Sequence, residues 1–334
     1  MERRATAPCE SMGVLTLSDT NKPIVVLMPV FEDRASARQL IADLAAACPV
    51  RPFIVAVEDG SLNEVLSADD IAAAGLEGEV VHLARNMGHQ RAIAAGIAHV
   101  ATTLRPDALV VMDSDGEDVP AAVPELLAVL AEPKVDVVVA KRRQRSESFQ
   151  FRAFYSVYRR LFKFLTGRSI RFGNFMAMTG QAASRMAAMQ ETWVHFPAAV
   201  MVSRLRMRPV PTDRGKRYFG VSRMNFVSLA LHGMRSIMVF AEDVLVRVGV
   251  LCVGLIVLAC LLLGIATLLK LIGWATPGWF STAFGILVII LLQAGILSFV
   301  TLMVSGIVKG TAPVRRADLD LVIERVEATG RVSA

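Results

Sequence analysis

Two long apolar segments near the C-terminal end constrain the fold of this chain most. Residues 248–269 and 280–308 contain no charged side chain, and each exceeds the roughly 20 residues that span a bilayer as a helix. Between them lies a short turn in which Trp274 and Trp279 are placed as aromatic residues are at membrane interfaces. Two charge-free helices of this length are not typical of a soluble core. The sequence therefore predicts a transmembrane helical hairpin.

The basic residues predict how this hairpin is oriented. Arginines at positions 235 and 247 precede the first segment, basic residues at 309, 315 and 316 follow the second, and the connecting turn carries only Lys270. Because basic residues favour the cytosolic side, both outer ends of the hairpin and both termini are expected there. Residues 1–22 have no apolar stretch and are predicted to be a disordered tail instead of a signal peptide.

Charge and cysteine content exclude several classes of protein. The net charge of +6 comes largely from residues 141–223, which predicts a basic surface that faces phosphates or anionic lipid. Interleaved aromatic residues and recognition motifs for nucleic acid are missing, so no nucleic-acid partner is expected. The four cysteines show no metal-ligand spacing and fit a reduced compartment. The sequence leaves open a homo-oligomer.

Residues 23–140 alternate short apolar runs with helical patterns, which is typical of an α/β fold with a mostly parallel sheet flanked by helices. Five strands are predicted, at 24–30, 53–57, 80–83, 109–112 and 135–139. Each predicted strand is followed by a polar cluster, and the carboxyl ends of parallel strands share one edge of a sheet. The clusters are Glu32-Asp33, Glu58-Asp59-Gly60-Ser61, Arg85-Asn86-Met87-Gly88, Asp113-Ser114-Asp115 and Lys141-Arg142-Arg143. Neither GxGxxG nor GxxxxGK[ST] is present, so the edge predicts a site for a charged nucleotide and a metal, but no dinucleotide fold or P-loop.

The acidic cluster after the fourth strand is the strongest metal signal. Four acids fall within six residues, 113–118. Carboxylates at this density repel one another unless a cation lies among them, and hard oxygen ligands favour Mg²⁺ or Mn²⁺. The alternative is a solvated acidic loop that caps the next helix.

The rest of the polar part is less regular. Residues 151–165 predict a basic amphipathic helix, which would lie either on a membrane surface or against the core with a solvated basic face. We expect a cytosolic domain over 23–225, a juxtamembrane interfacial helix over 226–243, the hairpin over 244–309 and a cytosolic C-terminal tail over 310–334.

Four motifs after the first four strands occur in the order and spacing of family 2 glycosyltransferases. They are Pro29-Val30-Phe31-Glu32-Asp33, Glu58-Asp59-Gly60-Ser61, Arg85-Asn86-Met87-Gly88-His89-Gln90 and Asp113-Ser114-Asp115-Gly116-Glu117-Asp118. The chain resembles in particular the polyprenyl-phosphate glycosyltransferases, which include dolichyl-phosphate mannose synthases and bacterial undecaprenyl-phosphate glycosyltransferases. The resemblance covers about residues 22–310 and implies a GT-A-type fold. It further implies an integral inner-membrane enzyme that moves a sugar from a nucleoside diphosphate sugar to a polyprenyl phosphate with Mg²⁺ or Mn²⁺.

The resemblance also implies roles for individual residues. Asp115 and Glu117 would bind the metal, and Asp113 would contact the sugar or ribose. Independently of the resemblance, Arg142 and Arg143 can hold the acceptor phosphate through paired N–H groups, unless they form only a solvated basic loop. The expected catalytic residues are therefore Asp113, Asp115, Arg142 and Arg143. Donor-binding residues would be Pro29, Asp33, Glu58, Asp59, Asn86, Gly88, Asp113, Ser114, Arg217 and Arg223.

One motif departs from the family. Where Gly-Asp-Phe-Arg is common, this chain has Gly173-Asn174-Phe175-Met176, so an acid and a cation are missing. Two alternatives therefore stay open: a glycosyltransferase that acts on another membrane acceptor, such as a glycolipid or a cell-envelope polysaccharide, and a non-catalytic scaffold subunit. A processive synthase is disfavoured because a Gln-x-x-Arg-Trp motif is absent. His195 is expected to be a packed histidine.

Overall fold

The structure is a computed structural model that describes residues 23–142, 149–170, 172–220, 226–274, 278–309 and 316–330. The chain forms two compact units, the first from residues 1–145, 171–222 and 314–334 and the second from residues 146–170 and 223–313. The predicted tail at 1–22 lies outside the described residues. Arg143 and Arg223 lie outside them too.

The first unit is built on one eight-stranded sheet with the order β7-β5-β6-β4-β1-β2-β3-β8. Its strands are β1 Ile24–Val30, β2 Phe53–Glu58, β3 Gly78–Leu83, β4 Ala108–Val111, β5 Val137–Arg142, β6 Met176–Thr179, β7 Met207–Thr212 and β8 Ile323–Ala328. β6 is antiparallel to both β4 and β5, and β8 is antiparallel to β3. The other six strands run in one direction, so the mostly parallel sheet is confirmed and their carboxyl ends share one edge.

Helices cover both faces of this sheet. They are α1 Arg34–Ala47, α2 Ala68–Ala73, α3 His89–Thr103, α4 Val123–Leu130, α6 Gly180–Ala187, α7 Glu191–Val194, α8 Phe196–Val202 and α12 Arg316–Val322. Successive residues of a strand point to opposite faces. Accordingly Val26 and Met28 pack with α1 in one apolar cluster, whereas Val25 and Leu27 pack with α3, α6 and α8 in another.

Three strands were not predicted. β6 lies between β4 and β5, which separates the basic end of β5 from the acidic end of β4 by one strand. β7 forms one edge of the sheet. β8 corrects the predicted C-terminal tail over 310–334, because residues after the hairpin return to the sheet and pair with β3 from Glu79 to Leu83.

The second unit is helical, with α5 Phe149–Thr166, α9 Phe226–Met238, α10 Ala241–Leu271 and α11 Trp279–Lys309. Two segments, Ala241–Leu271 and Trp279–Thr301, are long and apolar enough to span a bilayer. Small buried side chains recur every seven residues along α10, at Cys252, Ala259 and Ala266, and this spacing keeps one seam of the helix against a neighbour. Outside the membrane segments, Phe162 of α5 packs edge-on against Phe240 at 5.6 Å between ring centroids.

Candidate active site

The acidic loop after β4 is held in one conformation by its own backbone. The Asp113 N–H donates to an Asp118 carboxylate oxygen at 3.0 Å, and the Glu117 N–H donates to Asp115 Oδ1 at 2.9 Å. Gly116 has φ +87°, and a Cβ there would lie 2.5 Å from the Tyr218 ring, so only glycine fits both the turn and this contact. The loop thus presents its carboxylates at the carboxyl edge of the sheet.

Two arginines from the segment after β7 neutralise these carboxylates. Arg217 Nη2 lies 2.6 Å from Asp115 Oδ2 and 3.7 Å from Glu117 Oε1, and Arg214 Nη2 lies 2.6 Å from Glu117 Oε2. Burial and the nearby charge of Asp113 raise the pKa of Asp115, although Arg217 counteracts them. Asp115 and Glu117 therefore converge on one cationic group.

This convergence fits the predicted metal ligands. Among the described residues no group of three or more acidic, histidine or cysteine side chains is arranged to hold a metal ion. Mg²⁺ is commonly held by one or two carboxylates together with substrate phosphates. Asp115 and Glu117, which share Arg217, are the two carboxylates that would supply the protein half of such a set.

The second polar cluster is used mainly to shape the edge of the sheet. Asp59, which is 3% exposed, accepts hydrogen bonds from the N–H groups of Met87 at 2.7 Å and Gly88 at 2.9 Å. Gly60 has φ +74°, and a Cβ there would lie 2.5 Å from the Asn86 nitrogen. Burial raises the pKa of Asp59, and the two backbone N–H groups counteract it. Asp59 therefore joins the loop after β2 to the loop after β3.

Glu58 closes its own loop. One carboxylate oxygen accepts from the Ser61 hydroxyl and the other accepts from the Leu66 N–H at 3.0 Å. Burial raises the pKa of Glu58 because its charged form is removed from water. The predicted contact of Glu58 with the donor stays a prediction.

Two acids follow β1, and they differ in the hydrogen bonds that their side chains make to the described residues. Glu32, with φ +46°, accepts N–H groups from Leu62 at 2.7 Å and Glu64 at 3.1 Å, and these bonds lower the pKa of Glu32. Asp33 precedes α1, is half-buried and makes no side-chain hydrogen bond to any residue that the structure describes. Asp33 lies after the carboxyl end of β1, at the same edge of the sheet.

A polar cluster lies on the other side of Asp113. The Asn174 Nδ2 is 2.9 Å from His89 Nε2 and 3.4 Å from Asp113 Oδ1, and His89 Nε2 is 3.2 Å from that same oxygen. Removal from water lowers the pKa of His89, but the charges of Asp113, Asp115 and Asp118 outweigh this effect and raise it overall. His89 and Gln90 end the third motif, at 85–90, but no role was predicted for either of them.

Gln90 binds Asn174 of this cluster through a hydrogen bond. Its Nε2 donates to Asn174 Oδ1 at 3.0 Å, and its Oε1 accepts from the Phe196 N–H at 2.7 Å. His195 is buried and caps α8, since its Nδ1 accepts from the Ala198 N–H at 3.2 Å. Gln90 is a residue that sequence reasoning missed, because its two partners lie far along the chain.

The structure brings most of the predicted residues to one edge of the sheet. Arg217 contacts both Asp115 and Glu117, and these two acids share the loop after β4 with Asp113. Ser114, in the same loop, is buried. Lys141 and the backbone of Arg142 end β5 at this edge, across β6 from the acids. The roles predicted for Arg142, Arg143 and Arg223 stay predictions.

Comparison with known proteins identifies a family. A sequence model described as glycosyl transferase family 2 matches residues 25–193, about half of the chain. The undecaprenyl-phosphate 4-deoxy-4-formamido-L-arabinose transferase of Enterobacter sp. (strain 638) is 28% identical over 213 residues, covering 62% of this chain and 64% of that protein. The enzyme of the same name from Salmonella paratyphi A is 27% identical over 217 residues, with the same coverage. This chain thus matches somewhat under two thirds of the length of these relatives.

Solved structures agree with the fold. The glucosyl-3-phosphoglycerate synthase of Mycobacterium tuberculosis, crystallised with Mn²⁺ and uridine-diphosphate-glucose, superposes with a TM-score of 0.52 at 16% identity and covers 72% of this chain and 85% of that one. Another mycobacterial protein superposes with a TM-score of 0.51 at 15% identity, over 67% of this chain and 75% of its own. At these identities the likeness shows the fold alone.

Proposed function

The chain belongs to glycosyl transferase family 2, and from this premise we propose that it transfers a glycosyl group from a nucleoside diphosphate sugar to a polyprenyl phosphate. The observation that carries the proposal is the convergence of Asp115 and Glu117 on Arg217, beside Asp113, at the carboxyl edge of β4. Open α/β sheets bind ligands at this edge. Relatives named as undecaprenyl-phosphate transferases support the acceptor.

The charges of the site suit a diphosphate donor. Asp115 and Glu117 would hold Mg²⁺ or Mn²⁺, which would neutralise charge on the leaving diphosphate. With a metal held by Asp115 and Glu117, Arg214 and Arg217 would be released from these two carboxylates. Their guanidinium groups then have the planar donor pairs that bind phosphate oxygens. The arginines that now balance the acids would thus hold the diphosphate next to them.

The reaction forms one bond and breaks one. An oxygen of the acceptor phosphate bonds to the anomeric carbon, the bond from that carbon to the diphosphate oxygen breaks, and its electron pair leaves with the nucleoside diphosphate. A phosphate monoester is already anionic near neutral pH, so the acceptor needs no strong base. This requirement agrees with the neutral amide of Asn174 at a position where the family commonly has an acid.

The acceptor phosphate would approach from the basic end of β5. Lys141 and Arg142 end that strand at the same edge as the acidic loop, and Arg143 follows them in the sequence. Arginine binds phosphate through paired N–H groups. We therefore place the lipid head group near Arg142 and Arg143, and the ribose of the donor near Asp33.

A membrane position follows from α10 and α11. Both helices are long and apolar enough to span a bilayer. Because β8, which follows them in the chain, pairs with β3, the chain returns after the hairpin to the side on which the sheet lies. Two membrane-spanning helices bring the chain back to the side from which it started. With the flanking arginines, this return supports an integral protein of the inner membrane whose catalytic unit and both ends are cytosolic.

The acceptor class can be tested with the purified full-length protein. It would be incubated with Mn²⁺, a panel of radiolabelled nucleoside diphosphate sugars and one of three acceptors: undecaprenyl phosphate, a neutral glycolipid, or none. The proposal predicts that label enters the organic phase only with the lipid phosphate. Transfer to the neutral glycolipid would instead favour the other acceptor, to which the altered Gly173–Met176 motif points. If no labelled sugar is transferred or hydrolysed, the scaffold alternative is favoured.

A further inference from the structure

The amide of Asn174 has only one orientation that its surroundings allow. The Phe196 backbone N–H, at the start of α8, can only donate, and it points at Gln90 Oε1 over 2.7 Å. The other end of the Gln90 amide, Nε2, must therefore face Asn174, and it lies 3.0 Å from Asn174 Oδ1. A backbone group thus determines the orientation of the first amide and, through it, of the second.

The consequence at the site is a hydrogen-bond donor beside an acid. With Oδ1 engaged by Gln90, the Asn174 Nδ2 is the atom presented toward Asp113 and His89. Its contact with Asp113 Oδ1 is long, at 3.4 Å, and Asn174 is half-buried at the edge of the sheet. Gln90 is 3% exposed, and among the described residues of the site its side chain is hydrogen-bonded to Asn174.

We propose that Gln90 is a positioning residue that turns the Asn174 amide so that its N–H groups, and not its carbonyl, meet an anionic oxygen of the acceptor phosphate. This inference rests on the proposed function. Where the family commonly has an acid at this position it also has an arginine two residues later, and this chain has Met176 there. The loop beside Asn174 already carries four acids, so without that arginine a carboxylate at 174 would repel a phosphate. A fixed amide donor at that position attracts the phosphate instead.

Two variants replace the hydrogen-bond donor of residue 174 at the site by an acceptor, each in a different way. In Gln90→Glu the carboxylate still accepts from the Phe196 N–H, but it cannot donate to Asn174, so the Asn174 amide turns and its carbonyl faces the site. In Asn174→Asp the bond from Gln90 is kept, and an oxygen replaces the donor nitrogen. A hydrogen bond to a charged group that is lost in this way corresponds to about tenfold or more in affinity. Assayed at pH 8, both variants should raise the KM for undecaprenyl phosphate by about that factor and change the KM for the donor less than about twofold.

Gln90→Met is the matched control, because it keeps the volume of the side chain and loses both hydrogen bonds. It leaves the Phe196 N–H without a partner and should lower the melting temperature, as the buried carboxylate of Gln90→Glu also should. It does not force the Asn174 amide to turn, so it should raise the acceptor KM less than Gln90→Glu does. If Gln90 were only structural, the acceptor KM of each variant would follow its loss of melting temperature, and that result would overturn the inference.

The two proposals fail in different ways. A wild-type protein that transfers no sugar to any lipid phosphate contradicts the proposed function, and this inference with it. An active wild type whose acceptor KM is unchanged in Gln90→Glu and Asn174→Asp contradicts only the inference. The same holds if both variants raise the KM for the donor as much as for the acceptor.

Discussion

At the scale of single residues, the negative charges of the acidic loop are paired with arginines. Asp115 and Glu117 are close enough to share Arg217, and Arg214 completes the pairing. Nearby carboxylates repel unless a positive charge lies between them. These ion pairs keep the acidic loop in a shape that a metal and a diphosphate would use, so binding would exchange charge partners with little rebuilding of the loop.

Asp115→Asn tests the metal ligand directly. The amide removes the charge but keeps the size of the side chain, so we expect turnover to fall by about 100-fold or more. We also expect binding of Mn²⁺ with a nucleoside diphosphate, measured by titration calorimetry, to be lost. Asp69→Asn, at an exposed acid of α2, is the control and should leave both unchanged. Metal binding and turnover at wild-type levels in Asp115→Asn would refute the assignment.

The sequence was sufficient to predict the acids of the site but not the network that orients them. Asp113, Asp115 and Glu117 follow a buried strand, and local order alone places them at the edge of the sheet. Gln90 binds Asn174 across 84 residues and Phe196 across 106 residues. No local pattern predicts such a pairing, since it depends on which strands become neighbours.

At the scale of elements, the local residue pattern was sufficient to predict five strands, whereas the three missed strands depend on long-range pairing. β1 to β5 are mostly short runs of β-branched and other apolar residues, which predict buried strands. β7 contains Pro209 and Pro211, which are confined to edge strands, and it does lie at an edge. β6 has four residues, and β8, which follows the hairpin, has three charged residues among its six. Both are fixed by long-range pairing, which the sequence pattern does not contain.

The pairing of β8 with β3 should depend on pH through His82. Burial, together with the charge of Arg325, lowers the pKa of His82 below its ordinary value of 6.5, although Glu327, whose Oε1 is 3.3 Å from Nε2, partly offsets this. The unfolded chain therefore takes up the proton before the folded one does. The stability that neutral His82 contributes is complete above about pH 6.5 and is lost as the pH falls below that value.

Hydrogen exchange measures this dependence. After correction for intrinsic rates, amides of Ile323–Ala328 should exchange faster at pH 5.5 than at pH 7.5 in the wild type. In His82→Gln, which cannot be protonated, this difference should be much smaller, and the amides of β1 serve as the internal reference. An equal pH dependence in the two proteins would show that His82 does not control the pairing.

At the scale of the whole molecule, one chain builds two units and crosses between them repeatedly. The helical unit consists of residues 146–170 and 223–313, and residues 314–334 belong again to the unit that contains the sheet. The antiparallel pairing of β8 with β3 commits the residues after the hairpin to the catalytic unit. The number of membrane crossings between β3 and β8 must therefore be even. This constraint comes from the fold of the first unit and adds to the one from the flanking basic residues.

Reporter fusions test this topology. A reporter that is active only in the cytosol should be active at both the N-terminus and the C-terminus, because two spans return the chain to its starting side. A reporter that is active only outside the cytosol, placed in the turn near residue 275, should be active there. Export of the C-terminal fusion would reverse the orientation and separate the site from a cytosolic donor.

The most direct test of the central claim is the mass of the lipid product. Undecaprenyl phosphate would be incubated with the full-length protein, Mn²⁺ and the nucleoside diphosphate sugar that transfers best, and the lipid would be extracted for mass spectrometry. Glycosyl transfer predicts that the lipid gains one sugar residue and keeps a single phosphorus atom, and that the product is missing with Asp115→Asn. A product with two phosphorus atoms, or an unmodified lipid with every donor, would contradict the account.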